Sequence, residues 1–417
     1  MTQILFKDIN REGLHTLKVY EELGGYRSLK KVFEKEPEEI VEMVKTSGLR
    51  GRGGAGFPCG LKWSFLAKDV FPRYLCCNAD ESEPGTCKDR ELLEKNPHLL
   101  IEGMILSAYA CRIETGYIYF RGEFYDVAML MEGALKEAYG KGYLGEDILG
   151  SGFHFDIFTH LGAGAYICGE ESALLDSLEG KRGEPRLKPP FPAVQGLYAK
   201  PTVVNNVETL CVVPYIVNEG PEKYAAFGTE KSKGTKLVSV SGHVKKPGNY
   251  EVVLGTPTRE IIYGMAGGIR DDNQLKAFIP GGSSVPILPA NKVDTPYDYE
   301  ALSAAGTMLG SGALIVMDHT TNMVEMTMRL THFYMHESCG KCTPCREGTR
   351  WLYQMLGEVM QSRAKPQTVG LLKDACDNIS FKCFCPLGDA AIAPILSSIE
   401  HFPKEYEDLI QGKTTVG

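Results

Sequence analysis

Six of the chain's thirteen cysteines lie close together between residues 339 and 385. Cys339, Cys342 and Cys345 are each separated by two residues in the run CGKCTPC. Two-residue gaps let three thiolates from one loop converge on one face of an iron–sulfur cubane, each binding a different iron. The fourth iron then takes a ligand from elsewhere in the chain. The spacing therefore predicts a [4Fe–4S] cluster on four cysteine thiolates.

Three more cysteines are candidates for the fourth cluster ligand, namely Cys376, Cys383 and Cys385. We favour Cys385, because Cys-Pro resembles the pair that closes ferredoxin runs and a helix is expected just after it. Cys383 is the second choice. The alternative metal is zinc, which four-cysteine sites commonly hold. Zinc sites usually pair two C-x2-C motifs, so three evenly spaced cysteines and one distant partner favour the iron–sulfur cluster.

A glycine-rich segment, GLRGRGGAGFPCG at 48–60, could hold a second group. Its Gly51-x-Gly53-x-x-Gly56 run matches the dinucleotide fingerprint, but that fingerprint requires a preceding strand and the residues here have a helical pattern. Clustered glycines still let backbone N–H groups approach a phosphate or a flat ring. We therefore predict a cofactor loop that is not a standard Rossmann turn. Positive charge would come from Arg50, Arg52 and Lys62, and stacking faces from Phe57 and Phe65.

Acidic residues follow a predicted buried strand in LCCNADESEPG, at Asp80, Glu81 and Glu83. Proteins of the α/β class place ligand contacts at strand ends of this kind. Carboxylates there can accept hydrogen bonds from ribose hydroxyls and would repel a 2′-phosphate. The alternative is a solvated turn.

Two further segments place polar residues beside helix starts. In GAGAYICGEESALL, Tyr166, Glu170 and Glu171 follow a predicted strand and are expected to face one crevice. In VNNVETL, Asn205 and Asn206 precede a helix and suit the polar edge of a ring or a phosphate. The alternatives are ordinary helix starts, where acids and asparagines are both favoured.

The elements that must position these residues can be predicted from the periodicity. Up to about residue 230, apolar runs alternate with helical stretches, which implies a mostly parallel sheet covered by helices. The predicted strands are RYLCCNAD, GYIYFRG and FHFDIFTH. The predicted helices are LKKVFEKEPEEIVEMVKTSG (ending at Gly48), NPHLLIEGMILSAYACRI and AMLMEGALKEAYGKG. The proline-rich segment EGKRGEPRLKPPFPAVQGLY is predicted to be an extended loop.

The pattern changes near residue 235. A hairpin (TKLVSVSGHV and NYEVVLG), a short helix (TREIIYGMAGG) and two more strands (QLKAFIPGG and ALIVMDH) suggest a β-grasp module. Four helices from about residue 323 onwards fit a small bundle. The predicted domains are therefore 1–230, 235–322 and 323–417.

Composition excludes several classes of partner. The 417 residues carry a net charge of −8 with no basic block, which disfavours nucleic acid. No apolar run is long enough to span a bilayer, and the first residues lack the pattern of a secretory signal. We therefore expect a cytoplasmic protein that does not insert into a membrane and reaches one only through other subunits.

Six motifs in this order carry a resemblance to one family: GLRGRGGAGFP, NADESEPG, AYICGEESALL, NNVETL, CGKCTPCREG and CPLGD. From about residue 20 to 405 the chain resembles the flavin-containing, NADH-oxidising subunits of complex I, NADH:quinone oxidoreductase. The resemblance implies an α/β, Rossmann-like FMN/NADH domain, then a β-grasp (ubiquitin-like) module, then a helical bundle that carries the cluster. One departure is Cys59, where the family usually has threonine.

The resemblance also implies a set of site residues. Non-covalent FMN would contact Gly51, Arg52, Gly53, Gly54, Lys62, Asn78, Asp80, Glu81, Tyr166, Gly169, Glu170, Asn205, Asn206 and Thr209. NADH would lie against Gly54, Phe57, Lys62, Phe65, Glu83, Glu171 and Phe191. The cluster would be bound by Cys339, Cys342, Cys345 and Cys385. No catalytic acid or base is implied, because hydride passes between cofactors, and Glu83 and Tyr166 only position them.

The implied activity is hydride transfer from NADH to FMN, followed by single electrons to the [4Fe–4S] cluster. Electrons would continue through clusters of partner subunits to quinone in the respiratory chain. The implied partners are a small thioredoxin-like [2Fe–2S] subunit and a larger iron–sulfur subunit of the peripheral arm. The complex would sit on the cytoplasmic face of the membrane, or on the matrix side in an organelle. Two alternatives stay open: the diaphorase subunit of an NAD-linked hydrogenase or formate dehydrogenase, and a non-catalytic zinc-binding subunit.

Overall fold

The structure, a computed structural model, describes residues 3–413 and divides into two compact units. The first unit consists of the residues up to Ser82, Cys87–Val238 and Glu251–Gly255. The second consists of Glu83–Thr86, Ser239–Tyr250 and the residues from Thr256 onwards. The division into domains 1–230, 235–322 and 323–417 stays a prediction.

The first unit contains a four-stranded parallel sheet in the order β3-β2-β1-β4. Its strands are β1 (Tyr74–Ala79), β2 (Thr115–Phe120), β3 (Asp156–Leu161) and β4 (Thr202–Asn206). Its helices are α1 (Leu17–Glu22), α2 (Arg27–Phe33), α3 (Pro37–Thr46), α4 (Cys59–Ser64), α5 (Lys88–Lys95), α6 (Pro97–Cys111), α7 (Tyr125–Lys141), α8 (Glu171–Leu178), α9 (Pro192–Gln195), α10 (Val207–Glu219) and α11 (Pro221–Ala225). The predicted parallel sheet is thus confirmed, with β4 as a strand that the sequence analysis did not identify.

The single helix predicted to end at Gly48 is wrong, because the structure has two helices there, α2 and α3. The break lies before Pro37, whose ring disfavours helical backbone at the preceding residue. Glu36 instead caps α3, and its own backbone N–H is bonded by the Glu39 side chain. A proline at the first helical position is well tolerated, so Pro37 begins the new helix.

Helices α6 and α10 pack closely at Gly103. A Cβ atom placed there would lie 2.1 Å from the carbonyl oxygen of Leu210. We expect Gly103→Ala to destabilise the protein by about 1–3 kcal/mol, because overpacking forces the helices apart. Denaturant unfolding measures the change.

The matched control for that substitution is Gly133→Ala in α7, where a Cβ would meet no atom within 4 Å. Alanine there should raise stability by up to about 1 kcal/mol through helix propensity alone. If both variants unfold at the same denaturant concentration, the close approach at Gly103 is not restrictive.

The second sheet is mixed and has the order β6-β5-β9-β7-β8. Its strands are β5 (Thr235–Gly242), β6 (Gly248–Val253), β7 (Leu275–Ile279), β8 (Leu288–Pro289) and β9 (Ala313–Asp318). Strand β9 runs parallel to β5 and antiparallel to β7. The predicted helix in TREIIYGMAGG is a π-helical turn at Glu260–Met265.

The remaining helices are α12 (Tyr299–Ala304), α13 (Met323–Glu337), α14 (Thr343–Met360), α15 (Thr368–Ile379), α16 (Leu387–His401) and α17 (Pro403–Ile410). Helices α13 to α17 enclose an apolar core that includes Leu352, Leu356, Leu372 and Ile395. This confirms the predicted bundle and adds α17 to it. The fold class is therefore α/β with a parallel sheet, a mixed sheet and a helical C-terminal region. Within residues 3–413, none of the helices has the length and apolar character needed to cross a bilayer.

Candidate functional site

The glycine-rich loop joins α3 to α4 and closes on itself. The backbone N–H of Gly51 donates to the Phe57 carbonyl at 2.8 Å, and Arg50 Nε donates to the Gly56 carbonyl at 2.7 Å. Gly56 has a φ of +66°, which residues with a Cβ rarely adopt. Nothing lies within 4 Å of a Cβ placed at Gly54, so the loop leaves open space at its tip. A helix precedes the loop, as the sequence predicted.

The loop is fixed to the body of the first unit through Arg52. The Arg52 backbone N–H donates to Thr209 Oγ1 at 2.8 Å. Its guanidinium is fully buried and donates to the Tyr224 hydroxyl at 2.8 Å and the Lys233 carbonyl at 2.7 Å. The Arg52 guanidinium thus anchors the loop, and its use as positive charge for a ligand stays a prediction. The side of the loop that faces open space is formed by backbone atoms.

Asn205 and Asn206 end strand β4, and both amides are engaged within the protein. Asn205 Oδ1 accepts from Trp63 Nε1 at 3.0 Å, and its Nδ2 donates to the Cys59 sulfur at 3.6 Å. Asn206 Oδ1 accepts from the Glu208 backbone N–H at 3.0 Å and so caps α10. Its Nδ2 donates to Asp89 Oδ2 at 2.6 Å. These side chains hold the strand end in place, which leaves mainly the adjoining backbone for a ligand.

The predicted acidic strand end lies beside the turn that precedes α8. Asn78, opposite Asn206 in the sheet, donates from Nδ2 to the Gly169 carbonyl at 2.9 Å. Its Oδ1 accepts from the Asp80 backbone N–H at 3.0 Å. Tyr166 and Gly169 bound a short 3-10 helix directly before α8. The sheet therefore brings together three motifs that are far apart in the sequence.

The Glu81 carboxylate is buried at the start of α5. It accepts from the backbone N–H groups of Asp89 at 2.8 Å and Arg90 at 3.0 Å. Burial, together with the nearby charge of Asp89, raises the pKa of Glu81 to about 7. Glu81 therefore fixes α5 relative to the end of β1.

Two lysines and two glutamates form a charge cluster beside the loop. Lys188 Nζ lies 2.7 Å from Glu170 Oε1 and 3.0 Å from Glu171 Oε1, while Lys62 Nζ lies 4.0 Å from Glu171 Oε2. Glu170 also caps α8 by accepting from Ser172 and Ala173. Burial alone would raise the pKa of Glu170, but Lys188 and these hydrogen bonds hold it below its usual value. Lys188, in the proline-rich segment, was not predicted.

Three phenylalanines of this region are exposed, namely Phe57, Phe65 and Phe191. The ring centroids of Phe57 and Phe65 are 6.2 Å apart. The segment after Phe191 is bonded to the segment after α4, because the Ala67 N–H donates to the Ala193 carbonyl at 3.1 Å. Exposed, adjacent aromatic rings suit stacking against a flat ligand.

A fully buried network of charged side chains adjoins this site. Lys88 Nζ lies 2.8 Å from Asp89 Oδ1 and 2.9 Å from Glu208 Oε2. Glu208 also accepts from Lys236 Nζ at 2.6 Å and from the Leu237 N–H at 2.8 Å. This network was not predicted from the sequence, because no local pattern distinguishes these buried charges from solvated ones.

Glu83 belongs to the second unit by its contacts. Its Oε1 accepts from the Ser284 backbone N–H at 2.8 Å and from the Ser283 hydroxyl at 3.2 Å. The Ser283 hydroxyl in turn contacts the Tyr334 hydroxyl at 2.7 Å. The Glu83 carboxylate is thus held by the turn at Ser283 and Ser284, a contact that was not predicted from the sequence.

The cysteine motif lies between α13 and α14. Cys342 immediately precedes α14, and Cys345 occupies its first turn. Cys345 Sγ lies 3.1 Å from the Ser338 hydroxyl, and Cys342 Sγ accepts from the Phe384 N–H at 3.4 Å. The connection between α15 and α16 thus reaches the motif. It carries Cys383 and Cys385, which are both partly exposed.

The Cys383 thiol makes a hydrogen bond with Cys342, and burial together with this contact raises the pKa of Cys383 to about 12. Cys376 instead is buried within the core of the bundle. Among residues 3–413 no three acidic, histidine or cysteine side chains converge on a single ion. A cubane presents a separate iron to each thiolate, so soft sulfur donors on two adjoining loops fit a cluster.

Family models match most of the chain. The Nuo51 FMN-binding domain matches residues 44–215, the SLBB domain 236–316, and the NADH-ubiquinone oxidoreductase-F iron-sulfur binding region 325–409.

Curated relatives are similar along nearly their whole length. The F subunit of the NADH-quinone oxidoreductase of Streptomyces coelicolor is 53% identical, over 95% of this chain and 89% of its own. The F subunit of the Rickettsia bellii enzyme is 51% identical over 98% of both chains. The F subunit of the Mycobacterium tuberculosis enzyme is 50% identical, over 96% of this chain and 91% of its own.

Among solved structures, the NAD+-reducing [NiFe]-hydrogenase in its H2-reduced state is similar, with a TM-score of 0.85 and 36% identity. That match covers 95% of this chain and 67% of the other. Its air-oxidized state gives the same TM-score at 35% identity, over 98% of this chain and 67% of the other.

Proposed function

This chain belongs to the family of NADH-quinone oxidoreductase F subunits, and from that premise we propose a role for each of its site residues. The protein is a flavin-dependent NADH oxidoreductase with FMN and a [4Fe–4S] cluster, and it is a subunit of a multi-subunit complex with iron–sulfur partners.

The closed glycine loop carries the assignment of the flavin site. We assign the FMN contacts to the backbone of Gly51–Gly54, to Lys62 and to the strand ends at Asn78, Asp80 and Asn205–Asn206. Tyr166, Gly169 and Glu170 border the same edge of the sheet. Arg52, Glu81 and Thr209 support these groups through the contacts described above. When bound, FMN supplies acceptance of the NADH hydride and release of its electrons one at a time.

The NADH contacts are assigned to the exposed phenyl rings of Phe57, Phe65 and Phe191, with Gly54, Lys62, Glu83 and Glu171 at polar groups. Aromatic faces stack on flat rings. The chain's residues have only to bind and align the dinucleotide, because neither proton transfer nor nucleophilic attack is required of them.

Glu171→Gln tests the assignment of coenzyme preference. We expect the ratio of kcat/KM for NADH over NADPH to fall by about fivefold to tenfold, because like charges in contact repel by on the order of 1 kcal/mol even in water. The matched control is Glu94→Gln on α5, an exposed partner of Arg90, which should leave the ratio unchanged. An unchanged ratio in Glu171→Gln would show that this carboxylate does not face the 2′-position.

The cluster is assigned to Cys339, Cys342, Cys345 and Cys385. The two adjoining loops both carry thiols, and the Phe384 N–H and the Ser338 hydroxyl contact the sulfur atoms of Cys342 and Cys345. The cluster, when bound, supplies one-electron transfer.

The finer partners and location are also proposals. A small thioredoxin-like [2Fe–2S] subunit and a larger iron–sulfur subunit would complete the peripheral arm of the complex, which delivers electrons to quinone. The complex would lie on the cytoplasmic face of the membrane, or on the matrix side in an organelle. The domain boundaries proposed above are 1–230, 235–322 and 323–417.

A diaphorase role is the second candidate, favoured by the likeness to the NAD+-reducing hydrogenase. The NADH-quinone oxidoreductase relatives outweigh it, because their identity to this chain is near 50% against 36% for the hydrogenase.

The decisive assay follows NADH oxidation by the loaded protein with ferricyanide as acceptor. Visible absorption from flavin and cluster should bleach when NADH is added. Flavin-loaded protein that leaves NADH unoxidised would refute the function, and a colourless, zinc-containing protein would favour the non-catalytic alternative.

A further inference from the structure

Cys383 is a cysteine that the assignment of cluster ligands leaves unused. Its thiol contacts Cys342, which is one of the assigned ligands. The neighbouring Phe384 N–H donates to the same Cys342 sulfur at 3.4 Å. The connection between α15 and α16 is therefore folded onto the cysteine motif at residues 383 and 384.

The Cys383 sulfur packs against Gly388, at the start of α16, where the absence of a Cβ leaves room for it. A Cβ placed at Gly388 would lie 2.2 Å from Cys383 Sγ and 2.9 Å from Cys383 Cβ. Any larger residue there would force the thiol to move. The thiol also donates to the Ile379 carbonyl oxygen at 3.7 Å. The Cys383 sulfur is thus closely packed against the start of α16.

We propose that Cys383 is a fifth thiol of the cluster site and can bind the fourth iron in place of Cys385. The inference rests on the proposed assignment of Cys339, Cys342 and Cys345 as ligands. In the exchange, the bond from iron to the Cys385 sulfur breaks and one to Cys383 forms. The proton lost by the Cys383 thiol passes to the departing Cys385 thiolate, so no electrons and no further reactant are needed.

The first test uses alanine variants of the full chain, purified without oxygen and assayed for iron, sulfide and the EPR signal of the reduced cluster. Cys383→Ala should keep the wild-type signal. Cys385→Ala should keep the wild-type iron content with an EPR signal of altered shape. The double variant should lose the fourth iron or the whole cluster. Cys376→Ala, within the bundle core, is the matched control and should retain both iron and signal.

Two results would overturn the proposal. One is a Cys385→Ala variant as depleted of iron as the double variant. The other is loss of the cluster in Cys383→Ala alone, which would make Cys383 the only ligand of the fourth iron. A wild-type protein without iron, or an intact cluster in a Cys342→Ala variant, would instead overturn the ligand assignment itself and the exchange with it.

A second measurement needs no variant and so does not depend on variant folding. Wild-type protein that retains its cluster is treated with iodoacetamide and cleaved with trypsin, which releases residues 383–404 as one peptide. Exchange predicts singly labelled peptides of two kinds, one carrying the label on Cys383 and one on Cys385. Label confined to either thiol would overturn the proposal.

Discussion

Replacing Cys342 with alanine is expected to abolish the EPR signal of the reduced cluster while FMN stays bound. Cys342 combines two features of a ligand thiolate, because it immediately precedes α14 and accepts the Phe384 N–H. A helix N-terminus stabilises thiolate. Electron delivery to the partner subunits should fall by more than the roughly 10–100-fold that loss of an outer-shell partner costs at a metal site.

The measurement is low-temperature EPR of the NADH-reduced protein, with iron and flavin contents determined on the same sample. Cys87→Ser is the control, since Cys87 is exposed and is not in the cysteine motif. A full-strength cluster signal in Cys342→Ala would remove this residue from the ligand set. Loss of flavin as well would mean that the substitution disturbed more than the cluster.

Replacing Glu208 with glutamine is expected to destabilise the protein by about 3–5 kcal/mol, the usual cost of breaking a buried ion pair from one side. Glu208 is the carboxylate shared by the buried ammonium groups of Lys88 and Lys236. Without it, both cations lose a charged partner in a region closed to water. Denaturant unfolding of the full chain gives the difference.

The control for that measurement is Glu42→Gln, which removes an exposed ion pair with Lys45. Pairs of this kind contribute at most about 1 kcal/mol. If Glu208→Gln costs no more than Glu42→Gln, the buried network does not stabilise the first unit.

The effect of Glu208 should depend on pH in one direction. Burial alone would raise its pKa, but Lys236 and Lys88 outweigh burial and hold the pKa below the ordinary value of 4.5. A carboxylate with a depressed folded pKa stabilises the protein fully above its unfolded pKa and loses that contribution as the pH falls. The gap in unfolding free energy between wild type and Glu208→Gln should therefore shrink as the pH falls below about 5.

Local patterns were enough to predict the strands β1 to β3 and the motifs at their ends. Parallel strands share one carboxyl edge, so the motifs that follow β1 and β3, with Asn78 and Gly169, could be expected to lie at the same edge once the sheet was inferred. Strand β4 escaped because it has only five residues and no alternation of apolar and polar side chains.

The roles of charged residues were harder to predict, since burial is decided by partners far away in the sequence. Lys88 meets Glu208 and Lys188 meets Glu171 only in the folded chain. Arg52 reads as a ligand-binding charge beside glycines, yet its guanidinium is buried against Tyr224. Spacing identified the CGKCTPC motif, but the contact between Cys383 and Cys342 depends on how two helix connections meet.

The anchoring of Arg52 affects how the folded protein can lose and rebind its flavin. Because Thr209, Tyr224 and Lys233 hold the glycine loop, its order is established during folding and does not have to be supplied by the ligand. Amide hydrogen exchange in the loop should then be slow whether or not flavin is present. A molecule that loses its flavin would keep the loop conformation that binds flavin. It could therefore bind a second flavin molecule without refolding.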